Sequence, residues 1–229
     1  MTTVPHVVSV QVGREAELPW RGATIETAIV KTPVAGKVEV GVRGLVGDEQ
    51  AGVPIHGGPE KAICCYPAEH RARWEPLLGK PLKPGGFGEN LTLSGIVESD
   101  VCIGDIFEIG SARVQVTQPR APCFKLAARW GVKDLPALMA AEGISGWYLR
   151  VVREGSISAG DELRPAGQSS DVTVAEVMRV TYGSGRDDAA AIRRVIDVDD
   201  LAEAWYEALV TLSRGRGIAL HAPPEPAQP

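Results

Sequence analysis

Segments in which apolar and polar residues alternate, typical of strands with one buried face, recur along the first 165 residues. Turns rich in glycine, proline and aspartate separate them. The clearest predicted strands span residues 6–12, 25–31, 37–42, 62–66, 101–110, 112–117 and 146–152. Two short helices are predicted over residues 68–78 and 134–142. So many short strands favour a mainly β fold, a closed or partly closed β-barrel with a few short helices.

The pattern changes after Pro165-Ala-Gly-Gln-Ser-Ser170, which has the composition of a linker. Thr173-Val-Ala-Glu176 is a capping box that predicts a helix start, and residues 187–195 predict a second helix. A third helix is indicated by one apolar stripe, formed by Leu201, Ala204, Trp205, Ala208, Leu209 and Leu212. A bundle this small is marginal alone, so we expect it to dock on the barrel or on another subunit.

These patterns divide the chain into three parts. We expect the barrel domain over residues 1–166, the three-helix domain over residues 171–214 and a disordered tail, rich in proline and alanine, over residues 215–229.

Composition excludes several classes of protein. The 229 residues carry a formal net charge of −5, which argues against a general nucleic-acid binder. The N-terminus lacks the basic start and apolar core of a signal peptide, and no window is apolar enough for a membrane span. We therefore expect a cytoplasmic protein with reduced thiols and no membrane partner. The four cysteines lack the spacing of a zinc site, and the adjacent Cys64 and Cys65 are expected to fill core.

The stretch from Val116 to Leu126 has the strongest potential for chemistry. It holds Cys123 behind Pro119 and Pro122, with Arg120 and Lys125 close by. Proline restricts the backbone, so this stretch is expected to be a rigid turn rather than a helix. The two cations favour the thiolate, the form of cysteine that attacks electrophiles or binds a soft metal. Taken alone, the stretch is equally typical of a buried cysteine with solvated charges beside it.

Two glycine-rich turns offer further candidates. In the first, Gly57-Gly58 lies between His56 and Lys61, which suits an anion-accepting turn, although a tight turn with an exposed histidine fits as well. In the second, Glu89 and Asn90 offer a carboxylate and an amide, and Asn90 is equally suited to bonding its own backbone.

Together these segments resemble the MOSC family, the domain named for the C-terminal part of molybdenum-cofactor sulfurases. The resemblance covers roughly residues 5–165, and residues 172–212 look like the three-helix domain of stand-alone bacterial members of the hydroxylaminopurine-resistance type. The residues that carry it are Gly44-Leu-Val-Gly-Asp48, His56-Gly-Gly-Pro-Glu-Lys-Ala62, Tyr66-Pro67, Gly88-Glu-Asn-Leu91, Ile103-Gly-Asp105 and Gln118-Pro-Arg-Ala-Pro-Cys123.

The resemblance implies a pocket for the molybdenum cofactor (molybdopterin), with Cys123 as the metal ligand. It also implies a reductase that converts N-hydroxylated bases or related compounds to amines. Glu89 or His56 is the candidate proton donor in that reaction. The candidate cofactor-binding residues are His56, Gly57, Gly58, Lys61, Asn90 and Arg120.

A reductase of this kind needs electrons, and the sequence contains no second redox centre. The expected donor is a separate flavin or iron–sulfur protein, while the oligomeric state is left open, with a homodimer as one option. Two alternatives use the same residues: a sulfur carrier with a persulfide on Cys123, and a protein that carries the cofactor without turnover.

Overall fold

The computed structural model of the chain describes residues 4–51 and 57–218. The strands in these ranges are β1 (His6–Val12), β2 (Ala16–Trp20), β3 (Ala23–Thr27), β4 (Thr32–Pro33), β5 (Val38–Gly41), β6 (Gly44–Leu45), β7 (Ile63–Pro67), β8 (Leu91–Ser94), β9 (Ile106–Ile109), β10 (Ala112–Pro119), β11 (Trp147–Arg153), β12 (Gly155–Ile157) and β13 (Leu163–Gly167). The α-helices are α1 (Arg71–Leu78), α2 (Phe124–Trp130), α3 (Leu135–Glu142), α4 (Val174–Tyr182), α5 (Ala189–Ile196) and α6 (Glu203–Gly215). Short 3-10 helices span Pro59–Lys61 and Ala68–His70.

The main sheet has eight strands in the order β13-β9-β10-β11-β7-β8-β1-β4. Its pairs are antiparallel except for β7 and β8, which run parallel. A three-stranded sheet, β12-β5-β6, and a hairpin of β2 and β3 complete the strand pairing. The fold is therefore mixed and rich in sheet, with several helices.

The closed barrel is not found, because no ladder joins the two edge strands in the part of the chain that the structure describes. Both edge strands contain a proline, Pro33 in β4 and Pro165 in β13, and proline has no N–H to donate to another strand. Among the described residues, a few bonds approach closure: Val7 N donates to the Asp161 carbonyl at 2.9 Å, Gly160 N to the Val7 carbonyl at 2.8 Å and Leu163 N to the Pro5 carbonyl at 2.9 Å.

Three helices follow the sheet, close to the predicted positions. Thr173 Oγ1 accepts a hydrogen bond from Glu176 N at 3.0 Å, as the capping box predicts, and Asp188 caps α5 through its carboxylate. Buried side chains of these helices, such as Ile192 and Leu209, belong to the same apolar cluster as those of the sheet. The division into separate domains stays a prediction.

Two local predictions are wrong. The stretch that contains Cys123 does not stay a turn, because α2 begins at Phe124, directly after Cys123, and ends at Gly131 in the left-handed conformation. The strand predicted over residues 25–31 is replaced by the β2–β3 hairpin, whose second strand ends at Thr27. Of the predicted tail, Gly215 still belongs to α6, and residues 219–229 lie outside the described residues.

Candidate functional site

A row of three side chains crosses the centre of the main sheet. Tyr148 on β11 is paired with Gln118 on β10 and with Cys64 on β7. Directly paired residues place their side chains on the same face of a sheet, so the three lie side by side. Their sequence neighbours Cys65 and Trp147 belong to the apolar core instead, as strand alternation requires. The row therefore lies on the face of the strands away from that core.

Asn90 extends this region beyond Cys64. Its Oδ1 accepts a hydrogen bond from Cys64 N at 3.0 Å, and its Nδ2 donates to Asp48 Oδ2 at 2.8 Å. Asp48 in turn forms a buried ion pair with Lys31. The side-chain amide of Asn90 thus links strand and loop, and its partners are distant segments rather than its own backbone.

Two cavities meet at this row. The first, with about 590 Å³ of space partly open to solvent, is lined by residues that include Lys31, Asp48, Cys64 and Arg120. The second, with about 760 Å³ of space that also includes open solvent, reaches from the sheet to helices α4 and α6. The residues that line both cavities are Lys61, Ala121, Cys123 and Tyr148.

Cys123 is a half-buried free thiol at this junction. It is the residue that precedes α2, and its extended backbone carries the chain from β10 into the helix. Lys125, the second cation predicted beside it, also lines the first cavity. The sequence-based grouping of Cys123, Arg120 and Lys125 is therefore reproduced in space around one cavity.

Arg120 is the most deeply buried cation of the site, with 6% of its surface exposed. Its Nη2 donates to the Phe87 carbonyl, whereas its buried Nη1 has no hydrogen-bond partner among the described residues. Burial acts to lower the pKa of Arg120, but Cys64, Tyr148, Cys123 and Glu89 outweigh it, so this pKa is held above its ordinary value. The guanidinium stays charged, and its Nη1 is a donor that a ligand could use.

Burial also changes the acidity of the groups around Arg120. It raises the pKa of the Cys64 thiol, an effect that the Arg120 guanidinium opposes. It raises the pKa of Tyr148, and the neighbouring Cys64 adds to this shift. It lowers the pKa of Lys61, which makes this ammonium group a better proton donor. At neutral pH the Cys64 thiol and the Tyr148 hydroxyl therefore both keep their protons.

The first glycine turn is held by a side chain that the sequence did not suggest. Gln50 accepts a hydrogen bond from Gly58 N at 3.1 Å and donates to the Lys61 carbonyl at 3.1 Å. A side chain at Gly57 would collide with Gln50, because its Cβ would lie 2.4 Å from Gln50 Oε1. Neither glycine lines either cavity, whereas Lys61 lines both, and His56 lies outside the described residues.

Glu89 lies in the second glycine turn, 2% exposed, and its carboxylate is occupied. It accepts hydrogen bonds from Gly85 N at 2.7 Å, Phe87 N at 3.0 Å and Thr92 Oγ1 at 2.9 Å. Its neighbours Gly88 and Asn90 line the first cavity, but Glu89 does not. Glu89 therefore shapes the turn, and a role in proton transfer stays a prediction.

Sequence analysis missed Cys64, Tyr148 and Gln118 as members of the site. Cys64 looked like core, and Tyr148 looked like one residue of an ordinary strand. Their signal is the pairing register, which includes a bulge between Val116 and Gln118 and cannot be read from one strand alone. Gln118 was quoted only as part of a family motif.

The described part of the chain contains neither a metal cluster of several side chains nor a membrane-spanning helix. Among its residues, no group of three or more histidine, cysteine, aspartate and glutamate side chains could hold a metal ion, and the first cavity is lined by the thiols of Cys64 and Cys123. Within residues 4–51 and 57–218, every helix is too short or too polar to cross a membrane.

Comparisons with known proteins place this site in a family. The family model of the MOSC domain matches residues 52–164, which include both glycine turns and Cys123. The chain is 41% identical over 201 residues to the uncharacterized protein YflK of Bacillus subtilis, covering 87% of this chain and 90% of YflK. It is 34% identical over 168 residues to a protein of Gibberella moniliformis named as a reductase, covering 69% of this chain and 29% of that protein.

A solved structure is similar in fold over most of the chain. The crystal structure of YiiM from Geobacillus stearothermophilus has a TM-score of 0.77 and 38% identity, and the match covers 91% of this chain and 98% of that chain. These matches confirm the resemblance inferred from the motifs. The chain belongs to the MOSC domain family, together with the bacterial proteins YflK and YiiM.

Proposed function

We propose that this protein is a molybdenum-cofactor-dependent reductase that converts N-hydroxylated bases or related compounds to amines. The observation that carries the proposal is Cys123, a half-buried thiol shared by two cavities. Membership of the MOSC domain family and the similarity to a protein named as a reductase support it.

The first cavity suits the cofactor by its chemistry. A thiol such as Cys123 is the soft ligand that molybdenum prefers, and the unpartnered Nη1 of Arg120 suits the phosphate of a pterin. Lys61 adds a second cation at the same cavity. Asn90 contributes shape, since it lines this cavity and its amide is already bonded within the protein, whereas the Gly57-Gly58 turn lines neither cavity.

The proposed reaction has a simple balance. An N-hydroxylated amine takes up two electrons and two protons, the N–O bond breaks, and the products are the amine and water. The bound cofactor supplies the two-electron reducing centre. The chain contributes the position of the substrate, the exclusion of water and a source of protons.

Lys61 is the proton donor that the geometry favours. It lines both cavities, as Cys123 does, and burial lowers its pKa, which favours release of its proton. The carboxylate of Glu89 already accepts three hydrogen bonds from its own turn and the adjoining strand. His56 stays a candidate on sequence grounds.

Electrons are proposed to come from a separate flavin or iron–sulfur protein. The match to the Gibberella reductase covers only 29% of that protein, so most of its length has no counterpart in this match. Reduction by the purified chain with no partner reductase, supplied only with a nicotinamide cofactor, would contradict this dependence.

The central experiment compares wild type with Cys123→Ser after expression in a host that makes the cofactor. We expect molybdenum and pterin to copurify with the wild type, and both the metal and the reduction of 6-hydroxylaminopurine to be lost in Cys123→Ser. Cys102→Ser is the matched control, because Cys102 is a buried free thiol that lines neither cavity. It is expected to keep its metal content and its activity.

Three outcomes would contradict the proposal or its assignment of Cys123. A wild type without molybdenum, whose intact mass shows an extra sulfur of about 32 Da on Cys123, identifies the sulfur carrier instead. A wild type that retains the cofactor but reduces no N-hydroxylated compound identifies a cofactor carrier. Activity that survives in Cys123→Ser would exclude Cys123 as the ligand.

A further inference from the structure

The second cavity joins the thiol to the C-terminal helices. Its wall on the sheet side contains Cys123, Tyr148 and Gln118, and its far wall contains residues of α4 and α6, including Tyr182 and Trp205. Because Cys123 also lines the first cavity, ligands in the two cavities would reach the same thiol. The helical wall belongs to the second cavity alone, so a cofactor in the first cavity would leave that part available.

The helical wall of the second cavity combines two aromatic rings with a recess beside two alanines. The rings of Tyr182 and Trp205 pack edge to face, with centroids 6.3 Å apart and an interplanar angle of 84°. Trp205 Nε1 donates to Thr181 Oγ1 at 3.3 Å, so its polar group is already satisfied. Ala204 and Ala208, one turn apart on α6, also line the cavity, and their short side chains leave room for a flat ring.

The sheet-side wall supplies an acceptor. Gln118 is 2% exposed, and its Oε1 has no hydrogen-bond partner among the described residues. A buried amide without a full set of partners is costly unless a ligand completes it. A side-chain amide also matches a base edge that presents an N–H donor beside a ring nitrogen acceptor.

We propose that this second cavity is the substrate site, and that it binds the heteroaromatic ring of an N-hydroxylated base between Gln118 and the helical wall. The inference deepens the proposed reductase function and rests on it. The N–O group then points towards Cys123 and Lys61, which lie where the two cavities meet. The three C-terminal helices are thereby the part of the chain that selects the substrate.

The test fills the recess without disturbing the core. Ala208 is exposed, so Ala208→Phe is expected to fold, and the new ring would occupy the place of the substrate. Thr211→Phe, an equally exposed position on α6 outside the cavity, is the matched control. A second variant, Gln118→Met, keeps the length of the side chain and removes the acceptor.

Calorimetry with adenine and with 6-hydroxylaminopurine measures binding independently of turnover. We expect Ala208→Phe and Gln118→Met each to weaken binding by about tenfold or more, while Thr211→Phe binds like the wild type. Molybdenum and pterin contents are expected to be unchanged in all three variants. Reduction of N-hydroxyurea, which has no ring, is expected to persist in Ala208→Phe.

The outcomes separate the two proposals. Binding of both bases by Ala208→Phe with the affinity of the wild type would overturn the substrate site, as would a wild type that binds neither base. Equal loss of base and N-hydroxyurea reduction in Ala208→Phe would also overturn it. If the wild type binds the bases through these residues but reduces none of them, the substrate site stands and the reductase function fails.

Discussion

Glu89 shows how a buried carboxylate can organise a cavity that it does not line. Three donors point at it, two of them backbone N–H groups of the turn between Gly85 and Phe87. The turn carries Gly88, whose positive φ of 83° and contact with Ile29 exclude a side chain there. The Phe87 carbonyl of this turn accepts a hydrogen bond from Arg120.

Glu89→Gln is therefore expected to act on stability. An amide N–H₂ in place of one carboxylate oxygen would meet a donor, so we expect the free energy of unfolding to fall by about 1–3 kcal/mol in urea denaturation at neutral pH. Cofactor content is expected to fall with it, because the turn also positions Arg120.

The control is Glu39→Gln at an exposed position, for which the change should stay within about 0.5 kcal/mol. A loss of turnover in Glu89→Gln with unchanged stability and cofactor content would favour the proton-donor role predicted from the sequence.

At the scale of single residues, the sequence was informative where chemistry is local. Cys123, Arg120 and Lys125 are close along the chain and could be grouped without the structure. Tyr148 could not be grouped with them, because its place beside Cys64 depends on strand pairing over more than 80 positions. Pairing of that kind leaves no trace in the residues next to Tyr148.

At the scale of elements, β7 is unusual because burial covers every residue of it. Burial raises the pKa of Cys65 well above its ordinary value of 9.0, and it also raises the pKa of Tyr66. A raised folded-state pKa means that the native state holds its proton longer than the unfolded chain does. The stability from each group is thus complete below the unfolded pKa and is lost as pH rises above it.

We predict that the free energy of unfolding falls between about pH 8 and about pH 10, by up to about 1.4 kcal/mol per pH unit from Cys65. Tyr66, whose ordinary pKa is 10.0, adds to the decline only above that pH. Cys65→Ala is expected to make this decline shallower in urea denaturation at the two pH values. Ile63→Val is the matched control in the same strand, expected to cost about 1 kcal/mol equally at both. An unchanged decline in Cys65→Ala would exclude its thiol as a cause.

Helices were easier to predict than hairpins, for a physical reason. The helix α4 has a capping box, Thr173 to Glu176, whose residues contact each other directly. The β2–β3 hairpin has half-exposed strands without clear alternation and turns at Arg21-Gly22, where both φ angles are positive. Arginine is uncommon in that conformation, so the usual sequence signal of such a turn was missing.

For the whole molecule, the C-terminal helices complete the core of the sheet. Ala202 N donates to the Thr117 carbonyl at 3.0 Å, and Arg150 Nη2 donates to the Asp200 carbonyl at 2.8 Å. A truncation before Ser169 would expose the apolar residues that these helices cover. We expect the truncated chain to be largely insoluble, or to melt well below the full chain in circular dichroism.

If the truncated chain cannot be purified, a second variant tests whether the helices and the sheet unfold together. Leu209→Ala in the full chain removes a fully buried side chain from α6 and is expected to lower the stability of one cooperative transition by about 2–5 kcal/mol. Two separate transitions, of which only the smaller one shifts, would show that the helices fold independently.

The number and length of the strands predicted a sheet-rich fold. Whether the sheet closes into a barrel depended on its two edge strands, β4 and β13. Pro33 and Pro165 were visible in the sequence, although nothing there showed that they would occupy opposite edges of one sheet. The order of strands comes from pairing between distant segments, which no local pattern encodes.

The position of Tyr148 between two cavities has a thermodynamic consequence. Under the proposed function, a cofactor in the first cavity and a substrate in the second would both contact Tyr148, and the free energy of binding of one would depend on whether the other is bound. Such a dependence is reciprocal: a cofactor that favours substrate binding is itself held more tightly once substrate is present. Order of binding and retention of the cofactor would then depend on the side chains that the two cavities share, Tyr148 among them.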